Sequence, residues 1–194
     1  MTFRFALPPS VLAAALAVSA ARADFFQFTG VFGNGYSVQG IIETKVSAPA
    51  SFIESNPSFP SAPFATQFVQ NASLSVSLLG SVIGAAPAVV SGIAYDPYLY
   101  VALDSSTLSL SAIDLNTRGL STGPEPYYFI SNGVDPNANP VAYGSTTYNL
   151  FRFDPPTNGY TFLASTSSLQ VTAIPAPGAA ARLVFAGAAR RRRR

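Results

Sequence analysis

Three residue types that carry much of protein chemistry are missing from this chain of 194 residues, which has no cysteine, no histidine and no tryptophan. Without cysteine there is no disulfide framework, no thiol nucleophile and no Cys-ligated metal cluster. Without histidine there is no Ser-His-Asp triad and no histidine-bound metal. Charge is also scarce, since Asp, Glu, Lys and Arg make up 10% of the chain, against a usual fraction of about 25%. The composition therefore excludes several large classes of enzyme and metalloprotein.

The few charges are unevenly distributed, and most of the basic ones lie near the two ends. The whole chain has a formal charge of +2, but eight of its eleven bases lie before residue 24 or after residue 178. Residues 24–174 hold the other three bases and all nine acids, which gives a net charge of −6. A basic average favours nucleic acid or an acidic surface as a partner. The acidic body of this chain argues against a nucleic-acid partner.

Residues 1–23 have the features of a signal peptide. Arg4 precedes an apolar stretch over residues 7–21, and Ala21 and Ala23 then form the small-x-small pattern that signal peptidase recognises. We predict cleavage after Ala23, which leaves Asp24 as the mature amino terminus. The apolar stretch is shorter than the ~20 residues of a membrane span. A buried amino-terminal helix is the alternative interpretation.

The last twenty residues have three parts in a fixed order. A Pro-x-Pro tripeptide at Pro175, Ala176 and Pro177 comes first, and an apolar segment over residues 178–189, interrupted by Arg182, follows it. The chain ends on five arginines: Arg190, Arg191, Arg192, Arg193 and Arg194. Proline favours an extended backbone that a protease can grip, and arginines after an apolar helix stay on the cytoplasmic side of a membrane. The tail resembles the PEP-CTERM sorting signal of bacterial exosortase substrates.

That resemblance implies a route for the protein rather than a role for its central domain. The precursor would be held at the inner membrane of a Gram-negative bacterium by a helical tag, with signal peptidase and an exosortase as transient partners. Cleavage by the exosortase would release it to the outer surface or to the extracellular polysaccharide matrix. Two other interpretations of the arginine block are a nucleic-acid patch and a disordered solubilising tail.

Residues 24–174 are predicted to form one secreted β domain, because apolar residues alternate with polar ones in short runs between Gly, Pro, Asn and Asp. Gly33-Asn34-Gly35 predicts a turn between two strands, and the proline-rich residues 48–63 predict a long loop. Eleven segments are candidates for about nine strands, at residues 26–30, 36–46, 64–71, 74–78, 89–94 and 99–103, and then at 107–113, 127–131, 146–153, 160–164 and 169–172. The predicted fold class is all-β, an antiparallel β-sandwich with a jelly-roll-like order, flanked by a signal helix and a helical tag.

Residues with the chemistry of a functional site are few in this domain. Asp135, Asn137 and Asn139 alternate as at the start of a calcium-binding loop, but Pro140 stands where such a loop has glycine. An Asx-rich turn is the competing interpretation, and calcium is the one cofactor that the sequence suggests. The nine acids are spread singly, so no catalytic pair can be nominated and an enzyme is not expected.

Three functions therefore remain open at the level of sequence. The first is a non-catalytic, structural or adhesive protein of the cell envelope or of the exopolysaccharide matrix, which follows from the resemblance of the tail. The second is a carbohydrate-binding module, perhaps assisted by calcium, which requires aromatic side chains presented on one open face. The third is a glycoside hydrolase, which requires two carboxyl groups in one cleft.

Overall fold

The computed structural model describes residues 24–56, 62–119, 123–137, 140, 142–143 and 145–174, and this part of the chain is all-β. Its thirteen strands are β1 (Phe25–Val31), β2 (Tyr36–Thr44), β3 (Ser51–Ser55), β4 (Phe64–Ala65), β5 (Val69–Leu78), β6 (Ser81–Val90), β7 (Ile93–Ala94), β8 (Tyr100–Asp104), β9 (Ser109–Asn116), β10 (Tyr127–Ser131), β11 (Tyr148–Asp154), β12 (Gly159–Thr166) and β13 (Gln170–Ile174). The two predicted terminal helices lie outside the described residues.

The strands form two sheets, and every strand pairing is antiparallel. The first sheet has the order β13-β1-β2-β5-β6-β7-β4, and the second has the order β12-β11-β10-β9-β8-β3. A jelly roll sends successive strands to alternate sheets. Here the chain changes sheet only after β2, β3, β7 and β12, so most neighbours along the chain also pair with each other.

The core lies between the two sheets and is built from alternate residues of each strand. The first sheet contributes Phe28, Ile42 and Leu74, and the second contributes Ile113 and Leu150, all at most 1% exposed. Burying a side chain of this size contributes about 1.5–3 kcal/mol relative to leaving it exposed. Buried side chains thus recur at every second residue of a strand. Apolar residues recur with the same period in the sequence, as a sandwich requires.

Residues with positive φ make the hairpins of the first sheet tight. Asn34 and Gly35 have φ values of 59° and 78°, which confirms the predicted turn between β1 and β2. Leu79 and Gly80 join β5 to β6 with φ values of 50° and 83°. Two successive positive φ values are the mark of the type I′ hairpin turn. Leucine is unusual at such a position, so the sequence did not predict this second turn.

The predicted loop over residues 48–63 is wrong in part, because β3 lies inside it. This strand pairs with β8 at the edge of the second sheet, where proline-flanked strands are tolerated. The side chain of Glu54 on β3 is 3% exposed. Its carboxylate accepts hydrogen bonds from the backbone N–H groups of Gln67, Phe68 and Val69 at 3.0, 2.6 and 3.0 Å. Long-range bonds of this kind hold an edge strand that local sequence does not predict.

The first and last described strands lie side by side, since β1 pairs with β13 and Phe25 stands opposite Ile174. The regions predicted as a signal peptide and as a sorting tag therefore join the domain at neighbouring positions. Among the residues that the structure describes, no helix has the length and apolar character needed to cross a membrane.

Candidate functional site

The outer face of the second sheet carries aromatic side chains where a sandwich usually presents polar ones. Phe129 on β10 stands opposite Phe151 on β11, which stands opposite Phe162 on β12. The rings of Phe129 and Phe151 stack with centroids 4.8 Å apart. One step along the strands, Tyr127, Phe153 and Tyr160 form a second row in register. These six residues alternate with core residues, so they face away from the core and form an aromatic floor across three strands.

A polar row runs beside this aromatic floor on the same face. Asp114, Ser131 and Asn149 are directly opposite one another on β9, β10 and β11, and all three are buried. The side chains of Ser131 and Tyr143 hydrogen-bond to the carboxyl of Asp114. Asn149 donates from Nδ2 to the carbonyl of Val134 at 2.7 Å, while its Oδ1 is buried without a hydrogen-bond partner.

The connection between β10 and β11 folds back over this face. The fully buried side chain of Asn132 fixes the first residues of this connection. It accepts a hydrogen bond from the N–H of Ile113 at 3.0 Å and donates hydrogen bonds to the carbonyls of Ser111 and Ser145. Further along, the ring of Tyr143 stacks on Tyr100 of β8 with centroids 3.9 Å apart. The connection therefore forms a wall at the edge of the aromatic floor.

Some residues of the floor, of the polar row and of this wall line a cavity of about 340 Å³, which we call the aromatic cup. Five rings line it, those of Tyr98, Tyr127, Phe129, Tyr143 and Tyr160, together with the carboxyl of Asp114 and the amide of Asn116. Tyr98 and Tyr160 are 47% and 48% exposed at its rim. A concave apolar surface with a few convergent polar groups is the usual form of a ligand site.

A second buried carboxyl group accompanies Asp114. Asp96 lies in the turn before β8 and is 1% exposed. Its Oδ1 accepts a hydrogen bond from the N–H of Tyr98 at 2.8 Å, and its Oδ2 is buried without a hydrogen-bond partner. Burial raises the pKa of Asp96 from 3.8 to about 7, against the opposing effects of the Tyr98 and Asn116 amides and of the positive charge of Arg118.

Asp96 adjoins the aromatic cup, because its carboxyl group accepts a hydrogen bond from the N–H of Tyr98, a residue that lines the cavity. Burial, and then the charge of Asp96, raise the pKa of Asp114 well above its usual value. The charge of Asp96 also contributes to raising the pKa values of Tyr127 and Tyr143, for which burial is the largest cause. Two like charges in one apolar site oppose each other's ionisation. The pair is therefore poised to hold at least one proton near neutral pH.

The site residues predicted from sequence lie elsewhere or outside the described residues. Asp135 accepts a hydrogen bond from the N–H of Asn137 at 2.9 Å, which is the Asx turn given as the competing interpretation. Asn139 is outside the described residues, and the described ones contain no group of three acidic side chains that could hold a metal ion. Asp24, the predicted mature terminus, donates from its backbone N to Thr44 Oγ1. Ala21, Ala23 and the sorting tag from Pro175 to Arg194 lie outside the described residues.

The carboxyl pair of the cup was missed by reasoning from sequence. Asp96 lies between the strands predicted over residues 89–94 and 99–103, and the strand predicted over 107–113 ends one residue before Asp114. One signal was available: Asp114 and Asn116 alternate with the apolar Ile113 and Leu115 at the end of β9. Polar residues at that spacing indicate that one face of the strand is polar. That face is covered by a segment of the chain that does not belong to the hydrophobic core.

The outer face of the first sheet has a different character. A depression of about 440 Å³ lies there, lined mainly by the hydroxyl and amide side chains of Thr29, Ser37, Gln39, Ser75, Ser77 and Gln170. None of its lining residues is ionisable or aromatic. The aromatic cup is smaller but combines rings with carboxyl groups, so it is the stronger candidate.

Comparisons of the chain with protein-family models, with curated proteins and with solved structures gave no match. The function of the protein is therefore inferred from the chemistry of the site and from the sequence features at the two ends.

Proposed function

We propose that this chain is an exported, non-catalytic β-sandwich that binds a glycan in its aromatic cup and acts as a structural or adhesive component. The observation that carries the proposal is the placement of five aromatic rings and the buried carboxyl group of Asp114 around one cavity on the outer face of the second sheet. An open aromatic face is what the carbohydrate-binding hypothesis required.

The chemistry of the cup suits a sugar ring. The apolar C–H face of a pyranose packs on an aromatic ring, and the exposed rings of Tyr98 and Tyr160 offer such surfaces at the rim. Hydroxyl groups at the edge of a sugar need hydrogen-bond partners, and the side chains of Asp114 and Asn116 provide them in the same cavity. A cavity of about 340 Å³ falls at the lower end of the ~300–1,000 Å³ typical of small-ligand sites.

The position of the two acids favours binding over hydrolysis. Glycoside hydrolysis needs two carboxyl groups that flank the bond to be cleaved. A general acid or base must also come within hydrogen-bond reach of its substrate. Asp114 lines the cup, but Asp96 is 1% exposed and does not. We therefore assign Asp96 an electrostatic role beneath the site.

The proposed place of action comes from the ends of the sequence. The signal-peptide pattern at Ala21 and Ala23 supports export, and the tail from Pro175 to Arg194 supports tethering at the inner membrane and release by an exosortase. The exopolysaccharide matrix outside such a cell would supply the glycan. The intact mass of the protein secreted by its native host tests this route. Loss of residues 1–23 and of the arginine block is expected, and secreted protein that keeps the arginines would contradict exosortase processing.

Glycan binding is tested by titrating the purified chain with oligosaccharides and measuring heat. Replacing Tyr160 by alanine is expected to weaken binding about tenfold, or ~1.4 kcal/mol, because the variant removes a rim surface on which the sugar stacks. The matched control is Val82→Ala, since Val82 is 65% exposed and lines the depression on the first sheet. An equal loss of affinity in both variants, or a loss in the control alone, would mean that the glycan binds outside the cup. Added calcium or chelator is expected to leave the affinity unchanged.

A further inference from the structure

The charge of the aromatic cup narrows the class of sugar that it would select. Among the described residues that line the cup, Asp114 is the one carboxylic acid, and none is basic. Asp96 lies beneath it, and its Oδ2 is buried without a hydrogen-bond partner. The domain around the cup is itself acidic, with nine acids and three bases between residues 24 and 174. The site is therefore electrostatically suited to a ligand that brings positive charge and hydrogen-bond donors.

The aromatic rings point to the same kind of ligand. The face of a tyrosine or phenylalanine ring carries a negative potential, which attracts an ammonium group within about 6 Å. Arg118 shows this attraction at the edge of the site, because its guanidinium lies 5.7 Å from the centre of the Tyr127 ring. Arg118 does not line the cup, so the other rings remain available to a ligand.

From these two observations we propose that the glycan bound by the cup is an amino sugar with a free, protonated amino group, in preference to a neutral or acidic sugar. The ammonium would lie near the carboxyl of Asp114, with rings such as those of Tyr143 and Tyr160 around it. An acidic sugar would find no basic side chain among the described residues that line the cup to balance its charge, and an N-acetylated sugar would bring no positive charge. This inference rests on the proposed glycan binding and adds the charge of the ligand to it.

Binding of an ammonium would also release protons. Asp114 is faced by the titratable groups of Asp96, Tyr100, Tyr143 and Tyr160, and the charge of Arg118 acts on Asp96. The charge of Asp96 opposes ionisation of Asp114, and so does burial. A bound ammonium acts in the opposite direction, lowers the pKa of Asp114 and drives its proton into solution. A neutral sugar lacks the charge to produce this effect.

The test is calorimetric titration of the full chain at about pH 6, where an aliphatic ammonium keeps its proton. The probes are β-1,4-linked trimers of glucosamine, N-acetylglucosamine and glucose. We expect the glucosamine trimer to bind about tenfold more tightly than the other two. In buffers with different heats of ionisation, we expect proton release with the glucosamine trimer alone. This second measurement needs no variant.

Two variants that each replace one carboxyl group by an amide locate the effect. Asp114→Asn is expected to abolish the preference for glucosamine while the neutral trimers still bind. Asp104→Asn is the matched control, because Asp104 is at the far end of β8, about 13 Å along the strand from Tyr100. A preference that falls equally in both variants would mean general attraction to an acidic surface, and would overturn the inference.

The outcomes separate this inference from the proposal on which it rests. Equal binding of all three trimers, without proton release, would overturn the selection of amino sugars and leave glycan binding in place. Tighter binding of the neutral trimers would do the same. If none of the three trimers and no other oligosaccharide binds, the proposed function itself fails.

Discussion

The buried carboxyl group of Asp96 predicts that the protein becomes less stable as the pH rises towards neutral. The pKa of Asp96 is raised from 3.8 to about 7 in the folded protein, mainly by burial. A carboxyl with a raised pKa contributes its full stability below the unfolded value and loses it as the pH rises through the folded value. The loss attributable to Asp96 should therefore extend from about pH 4 to about pH 7.

The size of this effect follows from the shift. A pKa difference of one unit corresponds to about 1.4 kcal/mol, so the shift of Asp96 amounts to about 4 kcal/mol. That is a large part of the ~5–15 kcal/mol that stabilises a typical domain. Asp114 acts in the same direction, because burial and the charge of Asp96 raise its pKa as well. Asp96→Asn mimics the protonated acid and keeps an oxygen to accept the hydrogen bond from Tyr98.

The assay is urea unfolding at a series of pH values, followed by tyrosine fluorescence because the chain has no tryptophan. Asp96→Asn is expected to match the wild type near pH 4 and to be more stable by up to about 4 kcal/mol at about pH 8. The matched control is Asp104→Asn. The pKa of Asp104 is lowered by hydrogen bonds from Ser106 and Thr107, so Asp104 contributes stability that is lost only as the pH falls. If the free energies of unfolding of the wild type and of Asp96→Asn changed with pH in parallel, the assigned burial of this charge would be refuted.

Three further predictions concern the sandwich itself, each measured by urea unfolding. Gly40→Ala should destabilise the protein by about 2 kcal/mol, because a Cβ there would meet the ring of Phe28 at 2.1 Å; unchanged stability would mean that this ring moves freely. Glu54→Gln should cost about 2 kcal/mol, since an amide NH2 would face the N–H groups of residues 67–69, and a loss as small as that of an exposed Glu125→Gln would count against it. Tyr148→Phe should cost about 1 kcal/mol by removing a buried 2.7 Å hydrogen bond to a carbonyl of β9, and a more stable variant would contradict that bond.

Local sequence predicted most of the strands because burial and alternation share one period. The strand predicted over residues 127–131 is β10 without change, and those at 146–153 and 160–164 are β11 and β12 within a few residues. Two elements were not predicted. β3 forms because Glu54 and the edge of β8 hold it, and most of β6 was overlooked because Leu79 adopts the positive φ that starts the hairpin. In both cases the stabilising partner is distant in sequence or the backbone conformation is rare.

The candidate site could be predicted only in outline. The nine tyrosines and fifteen phenylalanines are visible in the sequence, but the sequence does not say which of them pack between the sheets, as Phe28 does, and which pack on the outer face, as Phe151 does. Alternation shows which residues of one strand share a face, but it does not say what covers that face. The calcium-like pattern from Asp135 lies in the connection that walls the cup; among the described residues of that connection, Tyr143 lines the cavity, whereas Asp135 and Asn137 form an Asx turn.

The sequence by itself determined that the body is an acidic all-β domain without thiol or imidazole chemistry, because period-two patterning, turn residues and composition are local properties of the chain. It also contains the patterns at its two ends that predict export and sorting, on which the proposed location rests. Only the tertiary structure decided that rings from Tyr98 to Tyr160 surround the carboxyl group of Asp114, and that Asp96 is close enough to raise its pKa. That outcome depends on which strands become neighbours and which face a returning connection covers. Both are set by packing between distant segments, so no local pattern in the sequence carries them.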